Sequence, residues 1–209
     1  ATLVALETQR PHDRGVLISG DEESGSAVMH AFLRSPHAHE IREAIVCEPT
    51  ARTAGVAHRG VIAQTASYEG QGGHSSKADH MPRPIAQLAH FAALLDQVGR
   101  ARLTDGPPDM KGLCLNLAAL HGGVAFNVIP QRAQLEWSLR PFPGFDRVQW
   151  DAELTTIARS VDPAIRIAAT IDHAPFSCGA LAPLVRPFAQ RIGPLDYWTE
   201  AALLVERGI

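Results

Sequence analysis

The chain has 209 residues, 45% of them hydrophobic, which is material for one large core or two smaller ones. A formal net charge of −3, with arginines scattered along the chain, leaves no basic stripe for nucleic acid or an anionic membrane surface. No apolar run reaches transmembrane length, Ala1-Thr2-Leu3-Val4 lacks the marks of a signal peptide, and Cys47, Cys114 and Cys178, far apart among aliphatics, read as reduced core residues of a cytoplasmic protein.

Residues 1–8 read as the tail of a helix and 10–14 as a polar connection into an apolar strand, Gly15-Val16-Leu17-Ile18-Ser19, of the kind covered on both faces in an α/β sheet. That strand runs into Gly20-Asp21-Glu22-Glu23. Helical spacing of Ala27, Val28, Ala31, Phe32 and Leu33 follows, with Ser24-Gly25-Ser26 as its cap and Ser35-Pro36 as its break. A second strand, Glu43 to Cys47, delivers Glu48 into the turn Glu48-Pro49-Thr50. Two strands flanking a helix, each ending in a glutamate, make the pattern of a βαβ unit with a site along one edge.

From His58 the pattern changes. Val61 to Tyr68 predicts a strand, Ile85 to Val98 an amphipathic helix, Leu113 to Leu120 and Gln131 to Arg140 two strands, 147–160 a helix and Ile165 to Ile171 a last strand. That order, strand-helix-strand-strand-helix-strand, is the split βαβ arrangement of a ferredoxin-like domain. Residues 181–191 and 197–207 read as helical or mixed and rejoin the first unit. The expected division is 1–58 and 173–209 for one domain and 59–172 for the other. The first residue is not Met and Gly208-Ile209 follows a helix-like run, so both ends read as cut.

Several polar groups are candidates for chemistry, each beside a plainer reading. Adjacent carboxylates such as Glu22 and Glu23 repel, and partial burial calls for a cation: one would hold a metal while the other moves a proton, unless the turn is simply solvated. Glu48 is a second such acid, or a turn residue before Pro49. His74, between Gly72-Gly73 and Ser75-Ser76, offers a hydrogen bond to an oxyanion or caps a helix. Asn127 and Arg140 suit the recognition of a carboxylate, or else are a turn and a surface residue. His58-Arg59-Gly60 marks a hinge or packing element at the domain junction. No Gly-x-Ser-x-Gly elbow, phosphate-binding loop, dinucleotide fingerprint or zincin motif is present.

In order, Gly20-Asp21-Glu22-Glu23, Glu48-Pro49-Thr50, His58-Arg59-Gly60, Gly73-His74-Ser75-Ser76, Asn127-Val128-Ile129-Pro130, Arg140-Pro141-Phe142-Pro143-Gly144 and Trp198-Thr199-Glu200-Ala201-Ala202 resemble the acetylornithine deacetylase family. This group of dinuclear zinc amidohydrolases also holds succinyl-diaminopimelate desuccinylase, aminoacylases and some carboxypeptidases. The resemblance implies an α/β, zinc-exopeptidase-like catalytic domain, present in part, interrupted by an α+β ferredoxin-like lid through which the protein forms a homodimer. It matches Glu22 to the general base and Glu23 and Glu48 to metal ligands, for zinc or alternatively cobalt. By the same comparison His74 stabilises the tetrahedral intermediate, often in a partner subunit's site, and Asn127 and Arg140 hold the carboxylate of an N-acyl amino acid. The Glu-Pro-Thr and Trp-Thr-Glu-Ala forms lean towards acetylornithine or acetylcitrulline deacetylase, the former converting N-acetyl-L-ornithine to L-ornithine and acetate.

One departure stands out. Of the family's ligand set only Glu23 and Glu48 fall within the chain, and Asp109-Met110-Lys111-Gly112, which imitates a missing motif, lies in the expected lid loop. The chain by itself is therefore expected to be inactive. A non-catalytic dimerisation or amino-acid-binding module is the alternative from another class, and an aminoacylase, desuccinylase or dipeptidase the alternative within the family.

Overall fold

The computed structural model describes residues 15–209; the helix tail expected at 1–8 and the connection at 10–14 lie outside the described residues. A short 3-10 turn at Glu22–Ser24 leads into α1 (Ala27–Leu33), which ends before Ser35-Pro36 as expected. The cap differs. The Asp21 carboxylate, not a serine of 24–26, accepts from the Val28 amide at 3.2 Å, and the Asp21 carbonyl accepts from the amides of Ser24 and Ser26, both at 3.0 Å.

Neither 15–19 nor 43–47 forms a strand. Apolar runs say only that a segment would tolerate burial, whereas a strand needs a neighbour for its amides and carbonyls. Among the described residues neither segment is paired, and Ile18 and Ile45 are 83% and 57% exposed. The expected βαβ unit is thus not closed among the described residues. In its place stands a small sheet: β1 (Thr53–His58) lies between two strands from the far end of the chain and leads through Arg59-Gly60 into β2 (Val61–Glu69).

The six expected elements of the second unit then appear in order. β2 buries Ile62, Gln64, Ala66 and Tyr68 on one face, the alternation of a strand covered on one side. A two-residue strand, β3 (Gly73–His74), precedes α2 (Pro84–Ala101), where Pro84 occupies the first helical position and Leu88, Phe91 and Leu95 are fully buried. β4 (Asn116–Gly122), β5 (Val128–Ile129) and β6 (Arg132–Leu139) follow. α3 (Arg147–Val161) starts where the Asp146 side chain accepts from the Gln149 amide at 2.8 Å, and β7 (Arg166–His173) closes the unit.

The sheet is antiparallel throughout in the order β4-β6-β2-β7, the ferredoxin-like arrangement. Both helices contribute to its core, in which Leu88, Phe91 and Leu95 of α2 and Trp150, Leu154 and Ala158 of α3 meet Leu135, Trp137 and Leu139 of β6. Phe91 meets Trp137 edge-on at 5.8 Å between centroids. A buried amide side chain, Gln64, accepts from Trp150 Nε1 at 3.1 Å, so burial leaves this pair satisfied.

The chain then returns to the small sheet through β8 (Phe176–Ser177), antiparallel to β1, passes α4 (Ala182–Val185), and adds β9 (Arg191–Leu195) parallel to β1 on the other side. β1 and β9 carry little hydrophobic signal because they pack so closely: a Cβ on Gly55 would stand 2.5 Å from Leu195 Cδ1. α5 (Ala201–Glu206) places Ala202, Leu203 and Leu204 with Trp198, Met29 and Leu33 in a second, smaller core. The cysteines are free but exposed, which corrects their reading as core residues; they border loops and edges, not the two helix-covered cores.

Candidate active site

Capping α1 occupies Asp21, while Glu22 and Glu23 make no side-chain hydrogen bond or ion pair among the described residues. Glu22 and Glu48 are both half-buried, and each holds its proton more tightly than an ordinary carboxylate. For Glu22 the causes are burial first, then the charges of Glu23, Glu48 and Glu200; for Glu48 they are burial, then Glu200 and Glu23. Burial and then the Glu48 charge push the Tyr197 phenol up as well. Glu22, Glu23 and Glu48, from turns more than twenty residues apart, thus lie within range of one another's charge, and a fourth carboxylate joins them.

That fourth group, Glu200, is the residue that sequence reasoning overlooked. It is 3% exposed, one carboxylate oxygen accepts from Ser19 Oγ at 2.8 Å, and the other is buried without a partner among the described residues. Its signal was an acid at the head of the apolar run Ala201 to Val205, within a motif already noted for resemblance alone.

His74 and Asn127 lie together elsewhere, at the far end of the ferredoxin-like unit. β3 pairs with β5, setting His74 opposite Val128, and the Ser75 amide donates to the Asn127 carbonyl at 2.9 Å. His74 does cap the turn that follows: its Nδ1 accepts from the Ser76 amide at 3.3 Å and lies 2.9 Å from Ser76 Oγ. With Nδ1 accepting, the ring proton sits on Nε2, where it is free to be donated outwards. Both side chains line a cleft of about 810 Å³ with His121, Gly123, Ile129 and Gln134.

Arg140 lies at the opposite end of β6, a strand of Arg132–Leu139 whose length is about 23 Å at the usual rise per residue. Asn127 and Arg140 therefore do not stand side by side within one chain. Arg140 instead borders the junction between the two sheets. There His58 stacks on Phe176 at 5.1 Å and meets the edge of Trp198 at 6.4 Å, and Trp198 leads directly to Glu200. Gly60 must be glycine here, since a Cβ would stand 2.5 Å from the His173 carbonyl of the returning crossover.

A split-βαβ unit inserted between two sections of an α/β unit, with acidic turns on the latter, defines a lid-bearing scaffold. Residues 56–166 match the M20 peptidase dimerisation domain, over half of the chain, and the chain belongs to the M20 peptidase family. It is 30% identical over 226 residues to N-acetyl-L-citrulline deacetylase of Xanthomonas campestris pv. campestris, with 100% of this chain and 59% of the relative covered. It is 28% identical over 204 residues to acetylornithine deacetylase of Edwardsiella ictaluri, covering 91% and 53%. The chain thus spans little more than half the length of these relatives. The M20 family metallo-carboxypeptidase Sso-CP2 from Sulfolobus solfataricus superposes with a TM-score of 0.60 over 79% of this chain and 59% of that one, at 12% identity, a likeness of fold.

M20 peptidases depend on a metal, generally zinc or cobalt. The acidic cluster fits a cation in two respects: its carboxylates raise one another's proton affinity when no cation lies among them, and Glu200 keeps a buried oxygen without a donor. The described residues do not close the donor set, because no three His, Cys, Asp or Glu side chains among them converge on one point.

Proposed function

We propose that this chain carries the base, two metal-binding carboxylates and the lid of a metal-dependent amidohydrolase that cleaves N-acyl amino acids, with N-acetylornithine and N-acetylcitrulline the favoured substrates. The observation that carries this reading is that Glu22 and Glu48 feel the charges of Glu23 and Glu200 on an M20 scaffold. Glu23 and Glu48 would hold the zinc or cobalt, which, when bound, supplies polarisation of the acyl carbonyl and acidification of a water.

Glu22 accepts the proton from that water and returns it to the leaving amine. His74 donates from Nε2 to the developing oxyanion, and Arg140 takes the substrate carboxylate through its planar fork. Because His74 and Asn127 stand a strand's length from the sheet junction that Arg140 borders, they serve the site of a second copy. The protein accordingly works as a homodimer through the lid. Reduced cysteines at exposed positions suit a cytoplasmic setting.

The test is hydrolysis of a panel of N-acyl amino acids by the full-length zinc-loaded protein and its Glu22→Gln variant. The variant should lose about 10²–10⁴ in kcat. Retention of the rate would remove Glu22 from the base role, and an intact protein that hydrolyses none of the panel would overturn the reading. The incomplete donor set favours a second reading, a non-catalytic carboxylate-binding dimerisation module. Metal content separates the two, because only the enzyme requires bound zinc.

A further inference from the structure

Arg59 lies in the peptide that joins β1 to β2 and is 5% exposed. Removing a guanidinium from water costs several kcal/mol unless its donors and its charge are met. No carboxylate pairs with it among the described residues. Instead Nη1 donates to the Gly112 carbonyl at 2.7 Å and the Arg140 carbonyl at 2.9 Å, and Nη2 donates to the Lys111 carbonyl at 2.8 Å.

These acceptors come from two segments: the loop between α2 and β4, and the exit of β6. Two backbone bonds hold the same exit, from the Arg140 amide to the Leu113 carbonyl and from the Gly60 amide to the Pro141 carbonyl, both at 2.8 Å. The main chain of Arg140 is thus fixed on three sides. Its guanidinium, by contrast, makes no hydrogen bond or ion pair among the described residues. Backbone amides could meet three carbonyls at lower desolvation cost. What a buried arginine adds is a permanent positive charge, uncompensated by an acid among the described residues, directly behind Arg140.

We propose that Arg59 is a positioning residue for substrate: it locks the main chain of Arg140 so that the Arg140 guanidinium meets the carboxylate of the amino-acid substrate, and it backs that contact with a second, buried cation. This rests on the assignment of Arg140 to the substrate carboxylate. Lysine cannot replace it. An ammonium keeps the charge but lacks the planar fork that spans carbonyls of separate segments.

The experiment measures kcat and KM of the full-length enzyme for N-acetylornithine and for its carboxamide, with Arg59→Lys, Arg140→Met and the double variant, each checked for native circular dichroism. Arg59→Lys should lower the carboxylate-over-carboxamide preference about ten-fold, the value of one charge-assisted contact, chiefly through KM, and should add nothing to Arg140→Met in the double variant. An equal loss on both substrates, or additive effects, would reduce Arg59 to a packing residue and overturn the inference. If Arg140→Met alone keeps the preference, the carboxylate assignment falls and the inference with it, an outcome visible in that single variant. Should Arg59→Lys not fold, arginine side-chain NMR of the Glu22→Gln protein decides: N-acetylornithine, but not the carboxamide, should shift the Arg59 Nη resonances, and equal or absent shifts overturn the proposal.

Discussion

His58 shows what burial at the junction does to a single side chain. It is 2% exposed, its Nδ1 donates to the Arg59 carbonyl at 2.9 Å, and it is packed between Phe176 and Trp198, with His173 stacked on the other ring at 4.5 Å. Burial holds its pKa below the ordinary 6.5, against smaller opposing effects of nearby carbonyls. The unfolded chain therefore binds a proton here more readily than the fold does. The neutral ring's contribution is fully present above 6.5 and is lost as pH falls below that value towards the depressed folded pKa. Urea midpoints of the wild type should fall between pH 7.5 and 5.5, and His58→Gln, which keeps a donor but cannot titrate, should show a shallower fall. Equal slopes would mean that His58 is as protonated in the fold as outside it. At this same scale Glu22 and Glu48 were legible as acids at turns, whereas Glu200 was not, because an acid at the head of an apolar run reveals its burial only once the fold brings Ser19 to it.

The elements of the ferredoxin-like unit follow from periodicity, and one helix carries much of its core. α2 buries Leu88, Phe91 and Leu95 against β6 and α3, so Leu88→Ala should cost about 2–5 kcal/mol, read as a lower denaturant midpoint of the lid transition. A loss below 1 kcal/mol would mean that the helix is not seated as described. This unit was legible because its six elements each carry their own pattern, as in the alternation of β2 and the spacing of α2. The small sheet was not. Val16 to Ile18 and Ala44 to Val46 look like strands by composition, yet pairing depends on what lies alongside. Thr53 to His58 looks like nothing in particular, since its small residues make room for Leu195. Asn127 and Arg140 were read together only as groups suited to a carboxylate, and the extended β6 sets them at opposite ends of a strand.

Taken as a whole, the molecule divides its polar groups between two ends. The acidic cluster, Glu200 and the junction with Arg140 and Arg59 occupy one; His74, Asn127 and their cleft occupy the other, with β6 between them. Under the proposed function each subunit lends one end and borrows the other, which gives it an unusual genetics. Full-length His74→Ala and Glu22→Gln proteins, each expected to be nearly inert alone, should restore one another when unfolded and refolded together. Half of the random pairs would be mixed, and in each mixed pair a single site would receive both an intact glutamate and an intact histidine, giving about a quarter of the wild-type rate. No recovery, with mixed pairs verified by mass, would place His74 in its own subunit's site. Recovery would mean that a lesion at either end is recessive to a lesion at the other, so that two broken alleles in one cell could together pass as a working gene.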